Sequence, residues 1–212
     1  MKNLYLLLLI PFLGISQGIQ FDNSTWNDLL KKAKSENKLI FVDAYTTWCG
    51  PCKAMAKNVF TNGEVAEFYN ANFVNAKIDM EKGEGISIAK KYVVEAYPTY
   101  LFVDGNGEIV HRAIGYIESG SFIQLGKDAT DPSKQLGSLI NKFNRGERNS
   151  DFLLNLVKIA SEAYDPNVST YASAYFKTQK NLITKENIEL ILQTISDPNS
   201  EELKTLSKNE ME

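Results

Sequence analysis

Leu39-Ile40-Phe41-Val42-Asp43-Ala44 leads through Tyr45-Thr46-Thr47 into Trp48-Cys49-Gly50-Pro51-Cys52-Lys53. The opening four residues are continuously apolar, which suits a central strand buried on both faces. Pro51 marks the start of a helix, because the N–H that proline lacks has no intrahelical use in a first turn. Ala54, Met55, Val59 and Phe60 carry the helical periodicity onward. A Cys-x-x-Cys pair at such a strand-to-helix turn sets its first sulfur at the helix N-terminus. There, unpaired N–H groups and the positive end of the macrodipole stabilise a thiolate. Cys52 falls within the first turn, close enough to Cys49 to form or break a short disulfide. The favoured chemistry is thiol–disulfide exchange. Half of a zinc site is a competing reading, but His111 is the only other His or Cys in the chain. A structural staple is another, although closing a four-residue loop removes only roughly 2 kcal/mol of chain entropy.

Outward from this turn, Thr25 to Lys34 reads as a helix, with Thr25 and Asp28 at capping-box spacing and Trp26, Leu29, Leu30 and Ala33 on one face. Val65, Phe68 and Tyr69 form a short helical face, Phe73 to Ile78 a second strand, and Ile86 to Tyr92 a further helix. Tyr100 to Val103 and Ile109 to Ile114 flank Asp104-Gly105-Asn106-Gly107, a hairpin signal. Ser119 to Asp128 closes the unit as a helix. The order αβα–βαββα predicts an α/β fold with a mixed sheet covered by helices on both sides.

From Asp131 onward the pattern is helical. Leu136, Leu139, Ile140 and Phe143 share a face, as do Phe152, Leu156, Ile159 and Ala163, and then Ile188, Ile191, Leu192 and Ile195. Asp-Pro recurs at Asp131, Asp165 and Asp197, at spacings of 34 and 32 residues. Helical-hairpin repeats have about that period, and an ordinary helical tail is the alternative. If the repeats are real, the third stops soon after it starts, so a truncated chain is one reading. At the other end, Met1-Lys2-Asn3, the apolar run Leu4 to Leu13 and the small residues Gly14, Ser16 and Gly18 follow the order of a cleaved secretory signal. Cleavage after Ser16 and after Gly18 fit equally. Ten apolar residues are half of the ~20 a spanning helix needs, so an uncleaved anchor is the weaker reading. The expected divisions are 1–18 as signal, 19–130 as the α/β unit and 131–212 as a helical extension. Export would place the cysteine pair in an oxidising compartment, periplasmic or extracellular.

Composition narrows the function. Of 212 residues, 43% are hydrophobic and 23% charged, with net charge −3, enough apolar content for a packed core. Basic residues never run longer than two, which argues against a nucleic-acid surface. Two cysteines cannot build a four-cysteine zinc or iron–sulfur site. Neither a metal nor a cofactor beyond the Cys49–Cys52 pair is therefore expected.

Trp48 to Lys53, Asp43 six residues before Cys49, Tyr97-Pro98-Thr99 and the stretch Gly107 to Gly115 together resemble thioredoxin across about residues 20–130. Trp26 to Lys38, Val59-Phe60-Thr61-Asn62-Gly63-Glu64-Val65 and Phe102-Val103-Asp104-Gly105-Asn106-Gly107 resemble more closely the secreted branch that includes the C-terminal domain of DsbD thiol:disulfide interchange proteins. The resemblance implies a thioredoxin fold, a central mixed sheet flanked by helices, here followed by an all-α C-terminal extension. It implies Cys49 as the attacking thiol, Cys52 as the resolving thiol, and Asp43 as the buried carboxylate that takes and returns the Cys52 proton. Burial in the strand would independently raise the Asp43 pKa; a strand-end residue capping a turn is its blander reading.

A cis bond before Pro98 follows from the resemblance alone, with backbone beside it exposed to an extended substrate segment. Trp48, Gly50 and Pro51 would form the apolar patch around the sulfur, with Tyr97, Pro98 and Thr99 beside it, and Pro51 would bias the pair toward reduction. The buried lysine that partners this carboxylate in thioredoxin aligns with Asn75. Lys77, on the same strand face, stands as its substitute. His111 is expected at the surface or in the hairpin. The implied partners are disulfide-bearing client proteins and an upstream thiol donor, membrane-bound, that re-reduces the pair. Oxidase or isomerase activity and a non-catalytic scaffold are the alternatives.

Overall fold

The computed structural model describes residues 18–209. The leader reading concerns residues that lie outside this range, apart from Gly18 at its border. α1 (Trp26–Glu36) starts where its capping residue sits: Thr25 Oγ1 accepts from the Asp28 N–H, and its hydroxyl donates to Asp28 Oδ2. β1 (Leu39–Tyr45), α2 (Gly50–Asn58), α3 (Gly63–Asn72), β2 (Phe73–Asp79) and α4 (Glu84–Tyr92) follow. β3 (Thr99–Val103), β4 (Ile109–Ile114) and α5 (Ser119–Thr130) complete the unit. The sheet order is β2-β1-β3-β4, with β1 parallel to β2 and the other pairs antiparallel. This is the predicted thioredoxin fold. Val59 and Phe60 lie just past α2 rather than in it, and both are buried.

Strand alternation divides the core into two layers. Phe41, Tyr100 and Phe102 meet Met55, Tyr69 and Phe122 on the side of α2, α3 and α5. Aromatic rings fill this layer; Tyr69 stacks on Phe122 at 4.6 Å. Ile40, Val42, Ala44, Leu101 and Val103 meet Leu29, Ala33, Ile88 and Tyr92 on the side of α1 and α4. Asp43, one residue out of step with Val42 and Ala44, is turned into the aromatic layer.

Five further helices, α6 (Leu136–Asn144), α7 (Ser150–Glu162), α8 (Val168–Phe176), α9 (Lys185–Thr194) and α10 (Glu201–Asn209), pack around a third core. The α6 stripe of Leu136, Leu139, Ile140 and Phe143 is the expected one, whereas those of α7 and α9 differ in part. In α7 the fully buried residues are Leu153, Leu156, Val157 and Ala160, with Phe152 and Ile159 at the margin. In α9, Leu192 faces outward while Asn187 is buried, its side-chain amide donating to the Asn181 carbonyl at 2.8 Å. The three Asp-Pro dipeptides share one device. Asp131, Asp165 and Asp197 each accept, through Oδ1, the N–H two residues on, at 2.8–2.9 Å, shortly before α6, α8 and α10.

His111 does lie in the β3–β4 hairpin, paired with Phe102, but it is not at the surface. It is 6% exposed, lies against Phe102, and its Nδ1 accepts the Leu136 N–H at 3.3 Å. An edge strand read in isolation looks exposed, but α6 covers β4. That approach is close: a Cβ on Gly137 would stand 2.9 Å from the Ile109 carbonyl oxygen. On an open helix Gly→Ala gains about 1 kcal/mol, whereas overpacking costs about 1–3 kcal/mol. Gly137→Ala is therefore expected to lower stability in urea unfolding, reversing the usual helical sign; a net gain would show that α6 does not seat on β4.

Candidate active site

β1 ends at Tyr45, and the next residues turn the chain into α2. The Thr46 carbonyl accepts the Cys49 N–H at 3.3 Å, fixing the turn. Cys49 is the N-cap of α2, and its Sγ accepts the Cys52 N–H at 3.0 Å. Pro51 occupies the first turn. Cys49 and Cys52 are joined as a disulfide, with Cα atoms 5.3 Å apart. A helix N-terminal N–H thus already points at the sulfur that would carry charge once the bond is reduced.

Exposure does not separate the two sulfurs, since each cysteine is only 3% exposed. Position separates them. Cys49 sits at the outer end of the turn between exposed Trp48 and exposed Gly50 and Pro51, whereas Cys52 lies on the inward face of α2, one turn before Met55. Trp48 is 65% exposed; its Nε1–H donates to both oxygens of Glu81, at 3.1 and 3.0 Å, and its ring meets Tyr97 edge-on at 6.0 Å. Ala44 pairs with Thr99, so Tyr97 and Pro98 lie at the sheet end from which the Cys49 turn departs. The Tyr97–Pro98 bond is cis. Pro98 and Thr99 are buried, and the Thr99 hydroxyl donates to the Ala96 carbonyl at 2.7 Å.

Asp43 is wholly buried, opposite Lys77 on one neighbouring strand and Tyr100 on the other. Lys77 Nζ approaches Asp43 Oδ2 to 3.4 Å without hydrogen-bond geometry, so the contact is ionic, and among the described residues neither carboxylate oxygen has a hydrogen-bond partner. Burial raises the Asp43 pKa to about 6, and the Lys77 charge holds it from rising further. The Tyr100 phenol is pushed well up by burial and by the Asp43 charge. Asn75, at the position thioredoxin gives to lysine, instead donates to Asn70 Oδ1 at 3.1 Å. Among the described residues, no three His, Cys, Asp or Glu side chains gather as a metal site.

Residues 26–130 match the model of the thioredoxin-like domain family. Thioredoxin H4 of Arabidopsis thaliana is 36% identical over 93 residues, which are 44% of this chain and 73% of that protein. The chain belongs to the thioredoxin superfamily. Among solved structures, a Bacteroides thetaiotaomicron protein proposed to be a disulphide-isomerase is 46% identical, with TM-score 0.50, covering 55% of this chain and 96% of that one. The oxidised C-terminal domain of Neisseria meningitidis DsbD is 21% identical, with TM-score 0.44, covering 52% and 98%. By its family and its paired cysteines, this thioredoxin-like protein is a disulfide oxidoreductase with a disulfide-capable Cys49–Cys52 pair.

Sequence reading passed over three parts of this thioredoxin site. Glu81 reaches Trp48 across 33 residues, with no local pattern to announce it. Tyr100 reads as core, and only the β1–β3 register sets its hydroxyl on the layer of Asp43. Phe21 lies in an irregular segment with no periodicity, yet it comes within 5.8 Å of Lys77 Nζ.

Proposed function

We propose that this protein reduces disulfides of other proteins after export, with Cys49 as nucleophile. The Cys52 N–H directed at Cys49 Sγ from 3.0 Å is the observation that carries this reading. The Cys49 thiolate attacks one sulfur of a client disulfide, whose S–S bond breaks and whose other sulfur leaves as a thiolate that is protonated from water. Cys52 then gives its proton to the Asp43 carboxylate and attacks Cys49 Sγ. The mixed disulfide breaks, the Cys49–Cys52 bond forms, and the second client sulfur departs as a thiolate that is protonated from water while Asp43 gives its proton up to water; two electrons and two protons have passed to the client. Lys77 steadies the ionised Asp43. Trp48, Gly50, Pro51 and Tyr97 form the docking face, with Pro98 and Thr99 buried behind it, and backbone beside Pro98 pairs with an extended client segment.

The pair itself carries the electrons, so the cycle uses no further cofactor or metal. An upstream thiol donor, membrane-bound, restores the dithiol. Residues 131–212 act as a separate helical extension rather than as part of the reaction, residues 19–130 being the catalytic unit.

Isomerisation is the second reading, favoured by the 46% identity to the Bacteroides protein called a disulphide-isomerase. The potential of the pair separates them. A reductase is expected near the −270 mV of thioredoxin, an isomerase near about −180 mV and an oxidase near about −120 mV. Equilibration of the full chain with glutathione buffers measures this directly; a value above about −200 mV would overturn the reductive direction.

A further inference from the structure

Lys77 is held in a way that ion pairing alone does not require. Its Nζ stands 4.8 Å from the Tyr45 ring centroid and 5.8 Å from those of Phe21 and Phe60, all within cation–π range. The three rings come from β1, from the segment before α1 and from the α2–α3 connection. Phe21 and Phe60 meet edge-on at 5.7 Å. Backbone bonds tether the Phe21 segment on both sides: the Ile19 N–H donates to the Phe60 carbonyl and the Asp22 N–H to the Asn75 carbonyl, each at 2.8 Å. Asn75 is two residues before Lys77 on edge strand β2.

We propose that Phe21, Tyr45 and Phe60 form an aromatic seat that keeps the Lys77 ammonium turned inward against Asp43. This makes the segment before α1 a positioning element for the proton-transfer step. The inference rests on the Asp43 shuttle reading above. Lys77 keeps 27% of its side chain exposed, and a flexible four-carbon stem tends to carry its charge into water. The rings oppose that escape by offering the ammonium a favourable alternative to hydration. Asp43 receives charge from few directions. Among the described residues, Lys77 faces it from β2 and the Tyr100 phenol from β3, Cys52 and Met55 are the buried residues of α2, and Asp22 beside Phe21 is taken by Lys32 at 2.7 Å. Lys77 is thus the cation that offsets the desolvation of Asp43, and its position sets the pH at which the carboxylate can accept a proton.

Phe21→Leu in the full chain, reduced and labelled at aspartate carboxyl carbons, tests this by NMR titration of Asp43. Leucine retains most of the volume without a π face. If Lys77 is released, the Asp43 midpoint rises by about half to one pH unit, the scale of one cation–π contact. Phe21→Tyr should restore the wild-type midpoint. Lys77→Met should raise the midpoint by more, and adding Phe21→Leu to it should change nothing further. A mere loosening of the core would admit water and move the midpoint down, so the sign distinguishes a structural role. An unmoved or lowered midpoint in Phe21→Leu, or an equal rise with and without Lys77, overturns the seat. Failure of the shuttle reading shows elsewhere: Asp43→Asn would then leave the pH profile of insulin reduction unchanged.

Discussion

Cys49→Ser is expected to leave no reduction of insulin disulfides above the uncatalysed rate, while Cys52→Ala retains one attack and accumulates mixed disulfides with its clients. The difference follows from position in the first turn of α2. Cys49 caps the helix and receives the Cys52 N–H, so ionisation of its sulfur is stabilised where the macrodipole is most positive. Thiols in such surroundings fall from about 8.5 to roughly 3.5–7.5, and each unit is worth about 1.4 kcal/mol of thiolate stabilisation. A serine hydroxyl there has neither the acidity nor the ability to share a disulfide. Cys52 lies on the helix face toward the aromatic layer, and its backbone N–H remains in place when its side chain is shortened to Ala. The mixed disulfide then has no internal nucleophile to resolve it. Gel mobility with and without a reductant detects the trapped species. Thiolate absorbance gives the acidity of Cys49 in the reduced protein. Turnover by Cys49→Ser equal to wild type, or a Cys49 thiol still protonated at pH 7.5, would remove the catalytic reading and leave a binding module.

Much of this site was legible because its information is local. The strand, the turn and the helix start all lie between Leu39 and Lys53, and each has a short-range cause: an apolar run, a cysteine cap and a first-turn proline. Asp43 was legible for the same reason, since alternation against Val42 and Ala44 already turns it to the other layer. Lys77 as the partner of Asp43 depended on counting by two along β2, and the β1–β2 register places it directly opposite. What escaped is pairwise and remote. His111 looked exposed because nothing near β4 in sequence covers it, and α6 arrives from 25 residues away through Leu136. The stripes of α7 and α9 slipped because each helix is contacted from more than one direction, so an amphipathic pattern alone does not fix which residues turn inward. Phe21 had no periodicity to read. Its place is set by two backbone tethers to parts of the fold that exist only after the sheet has formed.

Two buried groups with opposite displacements should cancel in the wild-type stability profile, and single substitutions should expose them. Asp43 ionises at about 6 in the folded protein against 3.8 in an open chain, because burial disfavours its charge. A carboxyl so displaced favours folding below pH 4, and that contribution, about 3 kcal/mol, is lost as pH rises through 6. His111 protonates at about 4 against 6.5, because burial disfavours the imidazolium, and its Nδ1 must stay bare to accept the Leu136 N–H. It therefore contributes stability above pH 6.5 that is lost, again by about 3 kcal/mol, as pH falls through 4. Over pH 4–6.5 the two slopes oppose each other and nearly compensate. Asp22, drawn down to about 2 by hydrogen bonds from Lys32 and Ser24, acts below this window. Asp43→Asn should accordingly gain about 3 kcal/mol of stability between pH 4 and pH 6.5, and His111→Gln should lose about as much. A buried amide left without partners costs about 1–3 kcal/mol, so the level of each curve will shift; its slope will not. Urea unfolding of the oxidised protein at half-unit pH steps reads those slopes. An Asp43→Asn curve parallel to wild type would mean that the Asp43 carboxyl does not change its charge in this range, and the proton-shuttle role would fall with it.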